Sequence, residues 1–162
     1  VVSELPIRVL LSKGSSLTDD MVGHTPSNVT VVDWVREEDI FPIADALICH
    51  GGAGTLIAGM TNAVPMMVVP LGTDQPSNAK RIEALGCGVA LLEPGTESVL
   101  SALKKVLQDA DIRKTAAQIA DEIAGLPNHD AAVTELVRIT NAHTQAIVNS
   151  QDLGGSKSAR GQ

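Results

Sequence analysis

The stretch CHGGAGTLIAGM, residues 49–60, joins one histidine to a run of small residues, between an apolar segment and a helical pattern. Small residues let a ligand approach backbone N–H groups, and the positive end of a following helix attracts an anion. The imidazole of His50 can donate a hydrogen bond to phosphate and, when protonated, stabilise the charge that grows on a departing diphosphate. The candidate donors beside it belong to Gly52, Ala53, Gly54 and Thr55.

A second interpretation of this turn stays open at this point. The glycines can serve only a tight turn and close helix packing, with His50 as a buried histidine whose hydrogen bonds are satisfied. The stretch is not a Walker P-loop, because no Gly-Lys-Ser/Thr follows, and it is not a dinucleotide G-x-G-x-x-G motif. Those two common phosphate-binding motifs are excluded.

Another polar turn follows the next apolar run. The segment PLGTDQPSNA places Asp74 and Gln75 directly before a helix that Pro76 opens. A carboxylate and a carboxamide together accept and donate hydrogen bonds to neighbouring hydroxyls, as recognition of a sugar ring requires. We therefore take Asp74 and Gln75 as candidate sugar-binding residues. The alternative is that Asp74 or Thr73 merely caps the helix.

Trp34 is the one tryptophan of a chain that has no tyrosine and a single phenylalanine. It closes an apolar run that precedes the His50 turn, and a flat indole at that place can stack on a nucleobase. The alternative is a tryptophan at the rim of the core that only fills space.

The elements that must position these turns alternate between short apolar runs and helical patterns. The predicted strands span residues 7–12, 29–34, 46–50, 66–70 and 88–92, and the predicted helices between them span 37–44, 54–62, 76–85 and 96–107. Nearly continuous apolar runs suit strands that are covered on both faces, and the alternation predicts parallel βαβ units. Ligands of such sheets bind at the carboxyl ends of the strands, where both polar turns fall. The predicted fold class is α/β, with a Rossmann-like parallel sheet flanked by helices.

We predict one folded domain over residues 1–149, because a chain of 162 residues that is 44% hydrophobic has room for one core of the usual size. Two further helical stretches, 112–124 and 130–148, follow the alternating part. The second carries apolar residues compatible with one packed face: Ala131, Leu136, Val137 and Ile147. Residues 150–162 are polar, rich in glycine and serine and without apolar periodicity, so we expect a disordered tail there.

Composition excludes several classes of partner. The formal net charge of −7 opposes binding to nucleic-acid phosphates and to anionic lipid surfaces, which carry the same sign. No apolar stretch approaches the roughly 20 residues of a membrane helix, and no basic-then-apolar leader opens the sequence. Cys49 and Cys87 lack the spacing of a metal site or a disulfide framework, so we expect them to be reduced and buried. We expect a cytoplasmic protein with neither nucleic-acid nor membrane partners.

Taken together and in order, the motifs VTVVDWV, HGGAGT, AVPMMVVP and P-x-x-x-D-Q resemble the C-terminal, nucleotide-sugar-binding half of family 1 glycosyltransferases with the GT-B fold. The similarity extends from about Ile7 to Leu107 and is greatest to the bacterial antibiotic type. The resemblance implies that His50 and the small residues after it contact the donor diphosphate and that Asp74 with Gln75 holds the sugar hydroxyls. It also implies which residues border the base, namely Trp34 and Val35.

The implied reaction transfers a hexosyl group from a UDP- or dTDP-sugar to a small lipophilic acceptor, with inversion. In such enzymes the acceptor site and the general base lie in an N-terminal domain, and this chain contains no counterpart of either. His24, His129 and His143 lie in a loop, a helix start and a late helix, where we interpret them as solvated or structural. The resemblance implies that this chain contributes donor binding and stabilisation of the leaving group to the reaction. It also implies a role in natural-product and antibiotic biosynthesis.

We expect no metal and no cofactor, because a helix end and His50 can neutralise the charge that a cation neutralises in other transferases. Asp109 and Asp111 form a D-x-D triplet, but it lies between two helical patterns, where aspartates commonly cap helices.

Three departures from the family pattern concern the nucleotide. Members commonly have Pro-Gln two and three places after the tryptophan, whereas this chain has Arg36 and Glu37. The glutamate that often bonds the ribose hydroxyls falls at Ala58 here. The family's domain also begins with a strand and a glycine-serine loop, and we expect this chain to lack that first strand.

Three alternative functions stay open at the level of sequence. One is the donor-binding subunit of a two-chain N-acetylglucosaminyltransferase whose partner is membrane-bound. Another is a non-catalytic nucleotide-binding module, which the changes at Arg36, Glu37 and Ala58 motivate. A third is a plain α/β domain in which the His50 turn binds nothing.

Overall fold

The computed structural model describes residues 2–127 and 129–155. Its strands are β1 (Val9–Ser12), β2 (Val29–Val32), β3 (Leu47–Cys49), β4 (Met66–Val68) and β5 (Gly88–Ala90). Its α-helices are α1 (Asp19–Val22), α2 (Glu37–Ile40), α3 (Ala53–Thr61), α4 (Gln75–Leu85), α5 (Thr96–Gln108), α6 (Ala110–Ala124) and α7 (His129–Gly155). Short 3-10 helices span Val2–Glu4 and Phe41–Ile43. Every observed strand lies inside a predicted one, so the alternating pattern is confirmed.

All strand pairs of the described chain are parallel, as the α/β prediction requires, but the strands form two sheets rather than one. One sheet has the order β1-β2 and the other the order β3-β4-β5. Among the described strands, β4 alone has a paired strand on each side, and side chains on β1 and β3 are only partly covered. Leu10 of β1 is 40% exposed and Ile48 of β3 is 48% exposed, which corrects the expectation that every strand is covered on both faces.

β4 is the buried centre of the larger sheet. Successive side chains of a strand point to opposite faces. Met66 and Val68 accordingly pack with α3, α4 and α6, through Leu56, Ile82 and Ala116 among others. Met67 packs on the opposite face with α5, through three buried side chains: Ala102, Leu103 and Val106. Helices therefore cover both faces of β4, as in a doubly wound fold.

The register of β3 and β4 brings two turns together. Cys49 at the end of β3 pairs with Val68 at the end of β4, and the N–H of Val69 donates to the carbonyl of Cys49 at 2.8 Å. Because the strands are parallel, the turns that lead into α3 and α4 leave from the same edge of the sheet.

The last helix belongs to a second compact unit. Contacts divide the chain into Val1–Ala124 and Gly125–Gln162, which differs from the single domain predicted over 1–149. Apolar side chains that we expected to be packed are exposed on α7, with Leu136 at 64% and Val137 at 52%. α7 continues to Gly155, past the predicted start of the tail, and residues 156–162 lie outside the described residues.

Cys49 and Cys87 are both free, and Cys87 is buried while Cys49 is half-buried. Within the ranges described above, no helix combines the length and the apolar character that crossing a membrane demands.

Replacement of Gly88 by alanine tests the packing of β4 against β5. A Cβ at Gly88 collides with the carbonyl oxygen of Met66 and lies 2.7 Å from Cγ2 of Ile82. We expect Gly88→Ala to lower the free energy of unfolding by about 2 kcal/mol or more, because neither neighbour can move without disturbing the core. The control is Gly72→Ala, where a Cβ meets no atom within 4 Å. Urea unfolding of both variants measures the difference, and equal values contradict this packing.

Candidate functional site

The turn between β3 and α3 has a backbone that only glycine adopts easily at one position. Gly51 has φ of +92°, and a Cβ there meets Cγ1 of Val68 at 2.8 Å. The imidazole of His50 lies against Gly52, because a Cβ on Gly52 meets Nε2 of His50 at 2.7 Å. His50 is exposed, so the interpretation of it as a buried, satisfied histidine is wrong.

The first turn of α3 offers free donors next to this imidazole. Gly52 is the N-cap residue of α3 and has no side chain that can bond to the first N–H groups. The first residues of the helix, Ala53 and Gly54, are exposed. The N–H groups of the first turn and the nearby imidazole therefore lie beside each other at the accessible surface, an arrangement that can stabilise an anion.

The turn between β4 and α4 is held by the side chain of Gln75. Its Oε1 accepts hydrogen bonds from the N–H groups of Leu71 and Gly72, at 2.8 Å and 3.1 Å. Thr73, which lies between Gly72 and Gln75, has φ of +57°, an unusual conformation for a residue with a β-branched side chain. The carboxamide oxygen thus shapes this loop, while the amide nitrogen is the part of Gln75 that can serve a ligand.

The carboxylate of Asp74 does not cap α4. Asp74 occupies the N-cap position but makes no side-chain cap bond. Instead it accepts from the hydroxyl of Thr73 at 3.0 Å and from Nδ2 of Asn78 at 2.9 Å. The bonds from Asn78 and Thr73, with a smaller contribution from the charge of His50, hold the pKa of the Asp74 carboxyl below its usual value. The carboxylate is exposed, ionised and oriented, and it lies near His50.

Asn78 joins the two turns. Its Nδ2 donates to the carbonyl of Gly51 at 3.0 Å as well as to Asp74. In the sequence Asn78 is a weaker candidate than Asp74 and Gln75, because its position one helical turn after Asp74 is its only local signal. The structure shows that it positions the carboxylate of the second turn relative to the backbone of the first.

Trp34 and Val35 lie between β2 and α2, beside the helix that contacts α3. Trp34 is 72% exposed, so the interpretation of it as a space-filling residue is wrong. A hydrogen bond joins this segment to the first helical turn of α3. The hydroxyl of Thr55 donates it to Oε1 of Glu37 at 2.9 Å. Glu37 was singled out in the sequence only as a departure from a family pattern, and the structure makes it part of the site.

No group of three or more metal-ligating side chains occurs within the residues that the structure describes. Asp109 of the D-x-D triplet caps α6, because its Oδ1 accepts from the N–H groups of Asp111 at 2.9 Å and Ile112 at 3.4 Å. This confirms the capping interpretation of Asp109.

A separate polar depression lies at the carboxyl ends of β1 and β2. It is lined by Lys13, Ser15, Leu17, Thr18, Asp19 and Asp33. Lys13 pairs with Asp33 at 2.6 Å and with Asp19 at 3.4 Å, so its charge is already neutralised by two carboxylates. None of the candidate residues of the two turns lines this depression.

Residues 4–139 match the protein family described as "Erythromycin biosynthesis protein CIII-like, C-terminal domain". Elloramycin glycosyltransferase ElmGT of Streptomyces olivaceus is 31% identical over 119 residues, which are 74% of this chain and 30% of that relative. The chain therefore spans less than a third of this relative's length.

Two solved structures share the fold. The glycosyltransferase SnogD of Streptomyces nogalater superposes with a TM-score of 0.73 at 27% identity, over 85% of this chain and 36% of that one. The glycosyltransferase VinC, solved in complex with dTDP, superposes with a TM-score of 0.79 at 25% identity, over 87% of this chain and 36% of that one.

Removal of the amide of Asn78 tests the link between the turns. We expect Asn78→Ala to raise the pKa of Asp74 towards that of a free aspartate, because the largest cause of its lowering is lost. A carboxyl with a lowered pKa stabilises the fold above its unfolded pKa, and that stabilisation disappears as the pH falls through the folded pKa. The variant should therefore be less stable than the parent at neutral pH and approach it in acid.

An NMR titration of Asp74, with unfolding measured across the acid range, checks this expectation. The control is Ser77→Ala, an exposed neighbour on the same helix. An unchanged pKa of Asp74 in Asn78→Ala contradicts the described link.

Proposed function

The chain belongs to the family of erythromycin biosynthesis protein CIII-like C-terminal domains, and we propose that it is the part of a glycosyltransferase that binds the nucleotide-sugar donor. Its fold is that of the C-terminal half of a GT-B glycosyltransferase. The proposal assigns the diphosphate to the first turn of α3 and the sugar to the turn before α4.

The observation that carries this proposal is the exposed His50 lying against Gly52 at the start of α3. An imidazole and free N–H groups at one helix end form a site for an anion whose charge changes during reaction. Asn78 ties this turn to Asp74, an oriented carboxylate that can accept hydrogen bonds from sugar hydroxyls. The groups proposed to bind phosphate and the carboxylate proposed to bind sugar hydroxyls therefore lie side by side, as a nucleotide sugar requires.

In the proposed reaction a hexosyl group leaves a UDP- or dTDP-sugar with inversion and joins a small lipophilic acceptor. The name of ElmGT and the dTDP bound to VinC support this class of substrate. His50 and the N–H groups of Ala53, Gly54 and Thr55 stabilise the diphosphate as its negative charge grows. Trp34 stacks on the base, with Val35 beside it, and Gln75 donates its amide to the sugar. The acceptor site and the general base lie in another domain.

We propose that this chemistry needs no metal and no other cofactor. The dipole of α3 and the imidazole of His50 carry out the charge neutralisation that a divalent cation performs elsewhere. We also propose that the protein has neither nucleic-acid nor membrane partners, because its net charge of −7 opposes contact with anionic surfaces, and that it is cytoplasmic.

Thermal unfolding with nucleotide tests the diphosphate site. A ligand that binds only the folded state stabilises it by about 2.7 kcal/mol at a concentration 100 times its Kd. We expect UDP or dTDP to raise the Tm of the chain and His50→Ala to remove most of this rise. The control is His24→Ala, which replaces an exposed histidine outside the two turns. A rise that His50→Ala leaves intact contradicts the role of the imidazole.

Asp74→Asn separates sugar recognition from diphosphate recognition. The exchange keeps the size of the side chain but removes the charge that strengthens hydrogen bonds from sugar hydroxyls. We expect the affinity for UDP-glucose to fall about tenfold while that for UDP changes little, as calorimetric titration of both ligands can measure. If the affinities for both ligands fall equally, Asp74 maintains the structure of the site and does not bind the sugar.

A further inference from the structure

The mouth of the proposed diphosphate site holds a negative charge. The carboxylate of Glu37 accepts a hydrogen bond from the hydroxyl of Thr55 in the first turn of α3. Burial raises the pKa of the Cys49 thiol, and the charge of Glu37 adds to this rise. The hydrogen bond from Thr55 places the carboxylate beside the turn that holds His50.

The neighbouring charges do not neutralise this carboxylate. Arg36 bonds to Asp39 through two nitrogens, each at 2.7 Å, and pairs with Glu38 at 3.2 Å. Within the described ranges, no basic side chain forms an ion pair with Glu37. Glu37 is exposed, and no such ion pair offsets its charge when an anion reaches the start of α3.

We infer that Glu37 sets the specificity of the site by charge, weakening the hold on a free nucleoside diphosphate more than the hold on its sugar ester. The inference rests on the proposed function. A diphosphate at the first turn of α3 meets the charge of Glu37 directly, and it also competes with Glu37 for the single proton of the Thr55 hydroxyl.

The two ligands differ in charge, so Glu37 repels them to different extents. The terminal phosphate of a nucleoside diphosphate has a second ionisation with a pKa of about 6, so it is largely doubly ionised at neutral pH. In the sugar ester that oxygen is bonded to the hexose, and the ligand carries about one negative charge less. A fixed carboxylate repels the more highly charged ligand more strongly. Glu37 therefore favours release of the leaving group over loss of the intact donor.

Calorimetric titration of the full chain tests the inference with UDP and UDP-glucose, and with dTDP and dTDP-glucose. We expect Glu37→Gln to tighten the binding of the free diphosphate about tenfold and that of the matching sugar ester by a clearly smaller factor. Glutamine keeps an oxygen that can accept from Thr55 and removes only the charge. Glu37→Ala, which removes the hydrogen bond as well, should tighten diphosphate binding in the same direction.

Glu38→Gln is the matched control. It changes the net charge by the same amount at the next residue of α2, where the carboxylate pairs with Arg36. We expect its effect on either ligand to stay below about twofold. If Glu37→Gln and Glu38→Gln raise the affinity for the diphosphate equally, the inference is overturned, since the effect is then one of net charge alone. If Glu37→Gln binds the diphosphate more weakly than the parent chain, the inference is also overturned, since Glu37 then contributes to binding.

Failure of the proposed function has a different signature. If the folded chain and every variant bind none of these nucleotides, the proposed function and this inference both fall. A different result overturns the inference alone. In that result the parent chain binds nucleotide and His50→Ala weakens the binding, but Glu37→Gln changes the affinities for diphosphate and sugar ester by the same factor.

Discussion

Burial of β4 on both faces is the constraint on which the candidate site depends. Its side chains alternate between two helical layers, so the strand cannot slip or rotate without exposing apolar surface. β3 is held to it by parallel pairing that matches Cys49 with Val68. The ends of both strands are thereby fixed at one edge, and the turns that follow them start from fixed points.

Short contacts between the turns then convert this rigid edge into a site. The positive φ of Gly51 brings the first turn against Val68 without the collision that a side chain causes. Asn78 bonds both to Gly51 and to Asp74, and Gln75 fixes the loop before α4. Because Asn78 already orients Asp74 and Gln75 already fixes the loop before α4, this turn needs little reorganisation when a ligand binds.

Several features followed from local patterns alone. The alternation of apolar runs and helical patterns predicted each strand and the helices around the site, and the small residues after His50 predicted an accessible helix start. The same patterns did not predict that the strands form two sheets, nor that Leu136 and Val137 of α7 are exposed. An apolar residue signals a tendency to be buried, but which partner buries it depends on the assembled elements.

The sequence by itself determined the types of the elements around the site, the glycine-rich turn after His50, the turn that contains Asp74, and the residue types available to hold a diphosphate and a sugar. Periodicity and turn chemistry act over a few neighbouring residues, so they can be read without the fold. Only the tertiary structure decided that Asn78 reaches Gly51, 27 positions away, and that Thr55 donates to Glu37, 18 positions away. Such contacts join different elements, and their geometry exists only once the strands have paired and the helices have packed.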